Sequence, residues 1–229
     1  MKRVKGSQAF TLIELVFVIA IIVALASIFL PIGFNALQKA DEASADASIQ
    51  QIAAAFTSFY DDLRHFPTCD GADCSPIIGT GNDLVFLAFG TGFGNLSAAG
   101  LNEYPAAAIG VGNWGLEAND EAAADADRNN GANHLVQNDP NADATINGVA
   151  DYATSGSRRW RGPYLSRVGV DPWGRAFIAH VGAMETGGTP VVAGSRGWIL
   201  SAGPNNSLDT LPNSATLVGD DRGFIFTSQ

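Results

Sequence analysis

Apolar and polar positions change pattern along this chain, and each pattern predicts a different element. From Phe10 to Pro31 the apolar residues run almost unbroken, and Glu14 is the only charged side chain among those 22 positions. At ~1.5 Å per residue this stretch makes a helix of ~33 Å, enough to cross a bilayer's hydrocarbon. Behind Pro31 the pattern becomes periodic. Ile49, Ile52, Phe56, Phe59 and Leu63 recur at spacings of three and four, while Lys39, Asp41, Glu42, Asp46, Gln50 and Asp61 face elsewhere. That spacing predicts an amphipathic helix with one face on a globular body, and residues 10 to about 62 would form a rod of ~80 Å. Pro31 removes a backbone donor and Gly33 loosens the same turn, so a kink is expected there. The helix is expected to end before Pro67.

Beyond Pro67 the apolar runs are short and bounded by Gly and Pro. Arg175–His180, Pro190–Gly194, Gly197–Ser201 and Gly223–Thr227 read as strands. Leu84–Phe89 and Leu96–Leu101 read as short pieces, helical or extended. Between Ile78 and Gly156 the chain is rich in Gly, Ala, Asn and Asp and reads as a surface insertion, at about residues 79–156. The expected fold class is α+β: a long N-terminal transmembrane and amphipathic helix packed on a small antiparallel β-sheet head.

Charge adds a second layer. An ionised carboxylate in an apolar layer costs a few kcal/mol on insertion scales, so it is rarely left without a partner. No Lys, Arg or His lies between Phe10 and Gln38, which points to a partner for Glu14 from elsewhere. Residues 1–9 carry Lys2, Arg3 and Lys5 and no acid, a short basic leader of the kind held on the cytoplasmic side. A fitting cleavage junction lies before the apolar run, not after it, and cutting there would leave the helix on the mature protein with a new amino terminus.

The string Phe10-Thr11-Leu12-Ile13-Glu14-Leu15 behind that leader resembles the class III signal of type IV pilins and type II secretion pseudopilins. The resemblance implies a leader peptide at 1–9, a transmembrane and filament-core helix at 10–31, an amphipathic helix at 32–66 and a periplasmic head at 67–229. It further implies that a prepilin peptidase cuts between Ala9 and Phe10 and methylates the Phe10 amine, and that Glu14 pairs with the Phe10 amine of a neighbouring subunit during assembly. The family usually has Gly before the cut, where this chain has Ala9. A plain signal anchor with a stray Glu would explain neither Glu14 nor the leader.

Later segments narrow the resemblance. Arg64-His65-Phe66-Pro67-Thr68 is similar to the Gly-Arg-Tyr-Pro-Thr stretch that follows the long helix of major pseudopilins. Trp160-Arg161-Gly162-Pro163-Tyr164-Leu165 and Asp171-Pro172-Trp173-Gly174 resemble their Trp-Arg-Gly-Pro-Tyr-Leu and Asp-Pro-Trp-Gly pair. This resemblance implies a non-enzymatic structural subunit of a type II secretion pseudopilus, a single-pass inner-membrane protein that polymerises through its helix and helps move folded proteins across the outer membrane. Implied partners are other copies of the chain, the prepilin peptidase, the inner-membrane secretion platform and minor pseudopilins. The first 60 residues are common to the pilin-like group, so a type IV pilus subunit or minor pseudopilin is the near alternative. A membrane-anchored binding module is the alternative from another class.

Candidate ligand chemistry concentrates near the C-terminus. Calcium takes six to eight oxygens, and major pseudopilins carry a calcium loop where this chain has Leu200 to Asp209 and then Asp220-Asp221. The candidate metal ligands are Asn205, Asp209, Asp220 and Asp221. Asn205 stands where an Asp is common, and Thr210–Gly219 lengthens the loop; a solvated acidic turn is the other reading. Asp125, Asp127, Asn129, Asn130 and Gly131, with Asp139, Asn141 and Asp143, resemble the start of an EF-hand. Gly131 comes one place late there, and Val136 sits where the bidentate Glu belongs, so a solvated loop is favoured.

The remaining composition mainly excludes. Net charge is −10, and losing the three leader cations leaves 10 Lys+Arg against 23 Asp+Glu, or −13, which disfavours nucleic acid and favours cations. Cys69 and Cys74 would close a small disulfide loop outside the cytoplasm, with two free thiols as the other reading, and zinc lacks ligands nearby. His65, His134 and His180 are scattered, no nucleophile elbow or zinc-helix signature occurs, and Gly90-Thr91-Gly92-Phe93-Gly94 lacks the setting of a dinucleotide loop. No enzymatic activity is expected.

Overall fold

The computed structural model describes residues 11–67, 84, 86–90, 130–140, 144–148, 151–166, 169–184 and 194–226. Ala9, Phe10, Cys69, Cys74, the stretch Leu96–Leu101, residues 190–193 and most of the second acidic cluster lie outside the described residues. The chain divides into two compact units, Met1–Asp41 and Glu42–Gln229.

One helix, α1 (Leu12–Leu63), has a first half and a second half of opposite character. In the unit Met1–Asp41 its large apolar side chains, from Leu12 to Leu37, are exposed. The helix continues through Pro31. In the unit Glu42–Gln229 the expected stripe is buried: Ile49, Ile52, Phe56, Phe59 and Leu63 are joined by Ala45, Ala53 and Ala55. The helix stops because Arg64 adopts a left-handed φ of 65° while its N–H still reaches the Tyr60 carbonyl, at 2.7 Å. A residue in that conformation closes the last turn and turns the chain away before Pro67.

Among the described residues, four strands form an antiparallel meander in the order β1 (Leu87–Phe89), β2 (Phe177–Ala179), β3 (Gly197–Ser201) and β4 (Arg222–Phe226). The register pairs Ala88 with Ile178, Ile178 with Leu200, and Leu200 with Gly223. The expected strand at Gly197–Ser201 is present as read, and the terminal strand starts one residue early. Arg175 and Ala176 are outside β2, because the Arg175 backbone is tied into the preceding turn by Asp171. Of the piece read at Leu84–Phe89, residues Leu87–Phe89 are β1, and Val85 lies outside the described residues.

One sheet face packs on α1. Phe56 is the centre of that contact, edge-on to Phe89 of β1 at 5.9 Å and to Phe226 of β4 at 6.0 Å between ring centroids. The opposite face is buried too, by Phe86, Ala88, Ala176, Ile178, Trp198, Leu200, Ala202 and Leu208. Burial on both faces explains why Gly197–Ser201 shows no alternation of apolar and polar positions.

The surface-insertion reading needs correction where residues are described. Leu84, Phe86–Phe89, Leu135 and Tyr152 are core, and a short helix α2 (Gly131–Leu135) packs against β1, with Gly131 under the Phe89 ring where any Cβ would collide. Asn138 offsets the burial of this polar stretch by bonding Tyr152 twice: its amide donates to the Tyr152 carbonyl at 2.8 Å and its oxygen accepts the Tyr152 N–H at 3.1 Å. A composition rich in Ala and Asn hides such a segment, because a few large residues and one satisfied amide suffice to bury it.

The Trp160–Leu165 segment ties this region to α1. Tyr164 and Leu165 donate backbone N–H groups to the Leu135 carbonyl, and Trp160 Nε1 donates to the His134 carbonyl at 3.1 Å. Asp62, in the last turn of α1, accepts from the Arg161 guanidinium at 3.0 Å and the Tyr164 hydroxyl at 3.1 Å. Burial chiefly pushes the Tyr164 phenol up to about 12. A second tie joins β4 to the start of this unit's helix: Arg222 donates to both carboxylate oxygens of Asp46, at 3.1 and 2.7 Å, and lies 3.5 Å from Glu42.

Candidate functional site

Two places carry candidate chemistry, the start of α1 and the β3–β4 loop. At the first, Glu14 has a partner that is not a cation. The Thr11 backbone N–H and the Thr11 hydroxyl both donate to Glu14 Oε2, at 2.9 and 2.8 Å, and the Glu14 N–H returns to Thr11 Oγ1 at 3.4 Å. This is a capping box, and its signal in the sequence is the Thr-x-x-Glu spacing. Hydrogen bonds satisfy the carboxylate but leave its charge in place. Around it, α1 is long and apolar enough to cross a membrane, and none of that apolar window is buried.

The β3–β4 loop (residues 202–221) is built by side chains bonding back to its own backbone. Asp220 accepts from the Asn205 N–H at 2.8 Å, Asn205 Nδ2 donates to Asp209 at 2.8 Å, and the Ser207 N–H donates to Asn205 Oδ1 at 2.6 Å. Asp221 accepts from the Thr210 N–H at 2.6 Å. Gly203 and Gly219 have φ of 64° and 66°, and a Cβ at either would run into Asp220 or Asp209. Glycine is required at both on conformation and on space.

The loop is one structure with the Asp171-Pro172-Trp173-Gly174 turn. Asp171 is buried; its Oδ1 accepts the Trp173 and Arg175 N–H groups at 3.1 and 2.7 Å, and its Oδ2 accepts the Ser201 hydroxyl at 2.6 Å. Arg175 reaches Asn206 Oδ1 at 3.3 Å. Along the sequence the turn and the loop are separate landmarks, and nothing there singles out Ser201 and Thr210 as supports. Only the fold brings residues 30 positions apart into one hydrogen-bonded unit.

All four predicted metal ligands lie in this loop. Asp220 Oδ1 and Asp221 Oδ1 are buried with no hydrogen-bond partner, an arrangement that favours a cation since an unpaired buried oxygen is costly. Burial, reinforced by the nearby Asp209 carboxylate, raises the Asp221 carboxyl from 3.8 to about 6. Asn205 fits less well, because its amide NH2 points at Asp209 and its oxygen is taken by Ser207. Among the described residues no three His, Cys, Asp or Glu side chains form a ready cluster for a metal ion. Calcium chemistry is therefore matched by two free carboxylate oxygens and opposed by the amide.

The described part of the second acidic cluster serves structure. Asn130 caps α2 by accepting the Ala132 N–H at 3.0 Å, and Asp139 is buried. The histidines are likewise committed to packing and hydrogen bonds. His134 Nδ1 meets the Tyr152 hydroxyl at 2.7 Å and His65 packs on the same tyrosine ring, so two histidines far apart in sequence share one neighbour. His180 stacks on Phe86 at 5.0 Å, and burial lowers its imidazole to about 4.

No family model, no curated protein and no solved structure matches this chain.

Proposed function

We propose that this chain is a structural subunit of a type II secretion pseudopilus, resembling the major pseudopilin. Residues 1–9 would be removed by a prepilin peptidase, the chain would wait in the inner membrane with its head in the periplasm, and α1 would then drive polymerisation. The supporting observation is the exposed apolar half of α1 with its single charge. Each large apolar side chain left in water forgoes about 1.5–3 kcal/mol, so a stretch with this many requires lipid or the helices of other copies as its surroundings. Glu14, hydrogen-bonded but still charged, calls for a cation in those surroundings, and the freed Phe10 amine of a neighbouring copy would supply it.

Calcium belongs to the same proposal. Asp220 and Asp221 would hold it through their free oxygens with Asp209 beside them, and it would neutralise carboxylates that crowd one loop. The residues of the chain otherwise shape that loop, with Asp171 and Ser201 anchoring its entrance.

The amino-terminal residue of the native protein tests the processing step. A methylated Phe10 is expected, and a chain that still begins at Met1 would refute the reading. Glu14→Ala tests assembly: the variant is expected to enter the membrane normally and to yield no filaments, and an undiminished filament yield would overturn the role of Glu14. For the cation, the full chain in detergent is expected to melt higher in calcium than in chelator, and identical melting would remove calcium.

A further inference from the structure

We infer that the loop Ala153–Arg159 is a contact surface for the carboxylates of a second copy of this chain. Seven residues, Ala153, Thr154, Ser155, Gly156, Ser157, Arg158 and Arg159, are exposed in succession, and none is acidic. The loop's base is firm. The Trp160 N–H closes it onto the Ala153 carbonyl at 2.7 Å, the Trp160 indole N–H donates to the His134 carbonyl at 3.1 Å, and the Trp160 ring meets the Tyr164 ring edge-on at 5.6 Å. Arg161 is neutralised by Asp62. Among the described residues Arg158 and Arg159 form no ion pair, and they are adjacent cations on a protein of net charge −10. The loop thus offers hydroxyls and two guanidinium groups, all suited to oxyanions.

A second copy is the occupant that the charge balance favours. With 23 acidic against 13 basic side chains, any copy presents carboxylates in excess. Copies of one acidic chain repel, yet at physiological salt this repulsion fades beyond ~8 Å, so a contact is decided by the charges that meet locally. Arg158 and Arg159 reverse the sign at one place, and a guanidinium matches a carboxylate in a bidentate fork. An anionic lipid surface shares that chemistry but would have to receive a head that is acidic overall.

This inference rests on the polymer reading above, and the test separates the two. The full-length chain would be assembled from membranes, and polymer yield compared for wild type, Arg158→Glu/Arg159→Glu and Arg158→Lys/Arg159→Lys, with the melting temperature of each recorded. The expected result is a fall of about tenfold for the double Glu variant, near-normal yield for the double Lys variant, and unchanged melting for both. Equal yields for all three would overturn the contact while leaving the polymer reading in place. A wild type that never polymerises would remove both. Unchanged polymer yield combined with weaker retention of the double Glu variant on vesicles containing anionic lipid would assign the loop to lipid and overturn the contact between copies.

Discussion

Asp221 offers the sharpest quantitative test of the β3–β4 loop, because its burial and its orphaned oxygen make the loop's stability depend on pH. The residue is 3% exposed, Oδ2 accepts the Thr210 N–H, and Oδ1 has no partner. Its carboxyl rises from 3.8 to about 6, first through burial and then through the Asp209 carboxylate. The folded protein therefore holds this proton more tightly than the unfolded chain does. Between those two values the folded state binds more protons, so stability is greatest below about pH 4, falls as pH rises, and is lower by about 3 kcal/mol once pH has passed through the folded value. Asp221→Asn removes that titration. Its amide oxygen keeps the bond to Thr210, and its NH2 stands where the protonated carboxyl already presents an O–H without a partner, so the substitution changes little while Asp221 holds its proton. Without calcium, the variant should be close to wild type in stability near pH 4 and should gain about 3 kcal/mol relative to it by pH 7.5. Urea unfolding followed by tryptophan fluorescence, in chelator at both pH values, measures the difference directly. A stability difference that stays flat between the two pH values would refute the reasoning.

Three further perturbations test the frame around the site. Phe56→Ala removes the ring that joins α1 to β1 and β4 and should cost about 3–5 kcal/mol in the same urea assay; a loss below about 1 kcal/mol would mean that the helix does not depend on this contact. Gly203→Ala places a methyl against the Asp220 carbonyl at a φ of 64°, and should destabilise the loop by about 1–3 kcal/mol and abolish any calcium-dependent melting shift. Asp62→Asn keeps the shape of the α1 anchor but removes the charge facing Tyr164, so the phenol should titrate below about 12 while remaining above its ordinary 10, since burial is the larger cause; ultraviolet absorbance against pH reads this out.

Much of the site is readable in local pattern. Glu14 stands out because one charge in a long apolar run is visible without any fold, and the Gly197–Ser201 strand because Trp198, Ile199 and Leu200 are contiguous. The Thr11–Glu14 capping box is equally local, yet looking only for cations around Glu14 passes over it. Sequence spacing gives no access to Asp171 holding Ser201, to Asp62 receiving Arg161 and Tyr164 from about 100 residues away, or to Arg222 on Asp46. These bonds depend on which strands become neighbours, and strand order is not written in the period of any one strand. The insertion misleads for a related reason: Tyr152 and Leu135 are buried because α2 and Asn138 bring them together, whereas their surroundings in sequence are Gly, Ala, Asn and Asp.

By itself, the sequence determined the long helix, its division into an apolar and an amphipathic half, the loop-rich α+β head and the excess of negative charge. Each follows from composition or from a repeat shorter than a helical turn or two, and such patterns survive without knowledge of distant contacts. The tertiary structure alone decided that β1, β2 and β3 are covered on both faces, that the Asp171 turn and the β3–β4 loop are one unit, and that Asp220 and Asp221 keep unpaired oxygens while Asn205 does not. Those outcomes turn on desolvation and on hydrogen bonds between segments far apart in the chain, and burial is a property that a residue acquires only when the whole fold has closed around it.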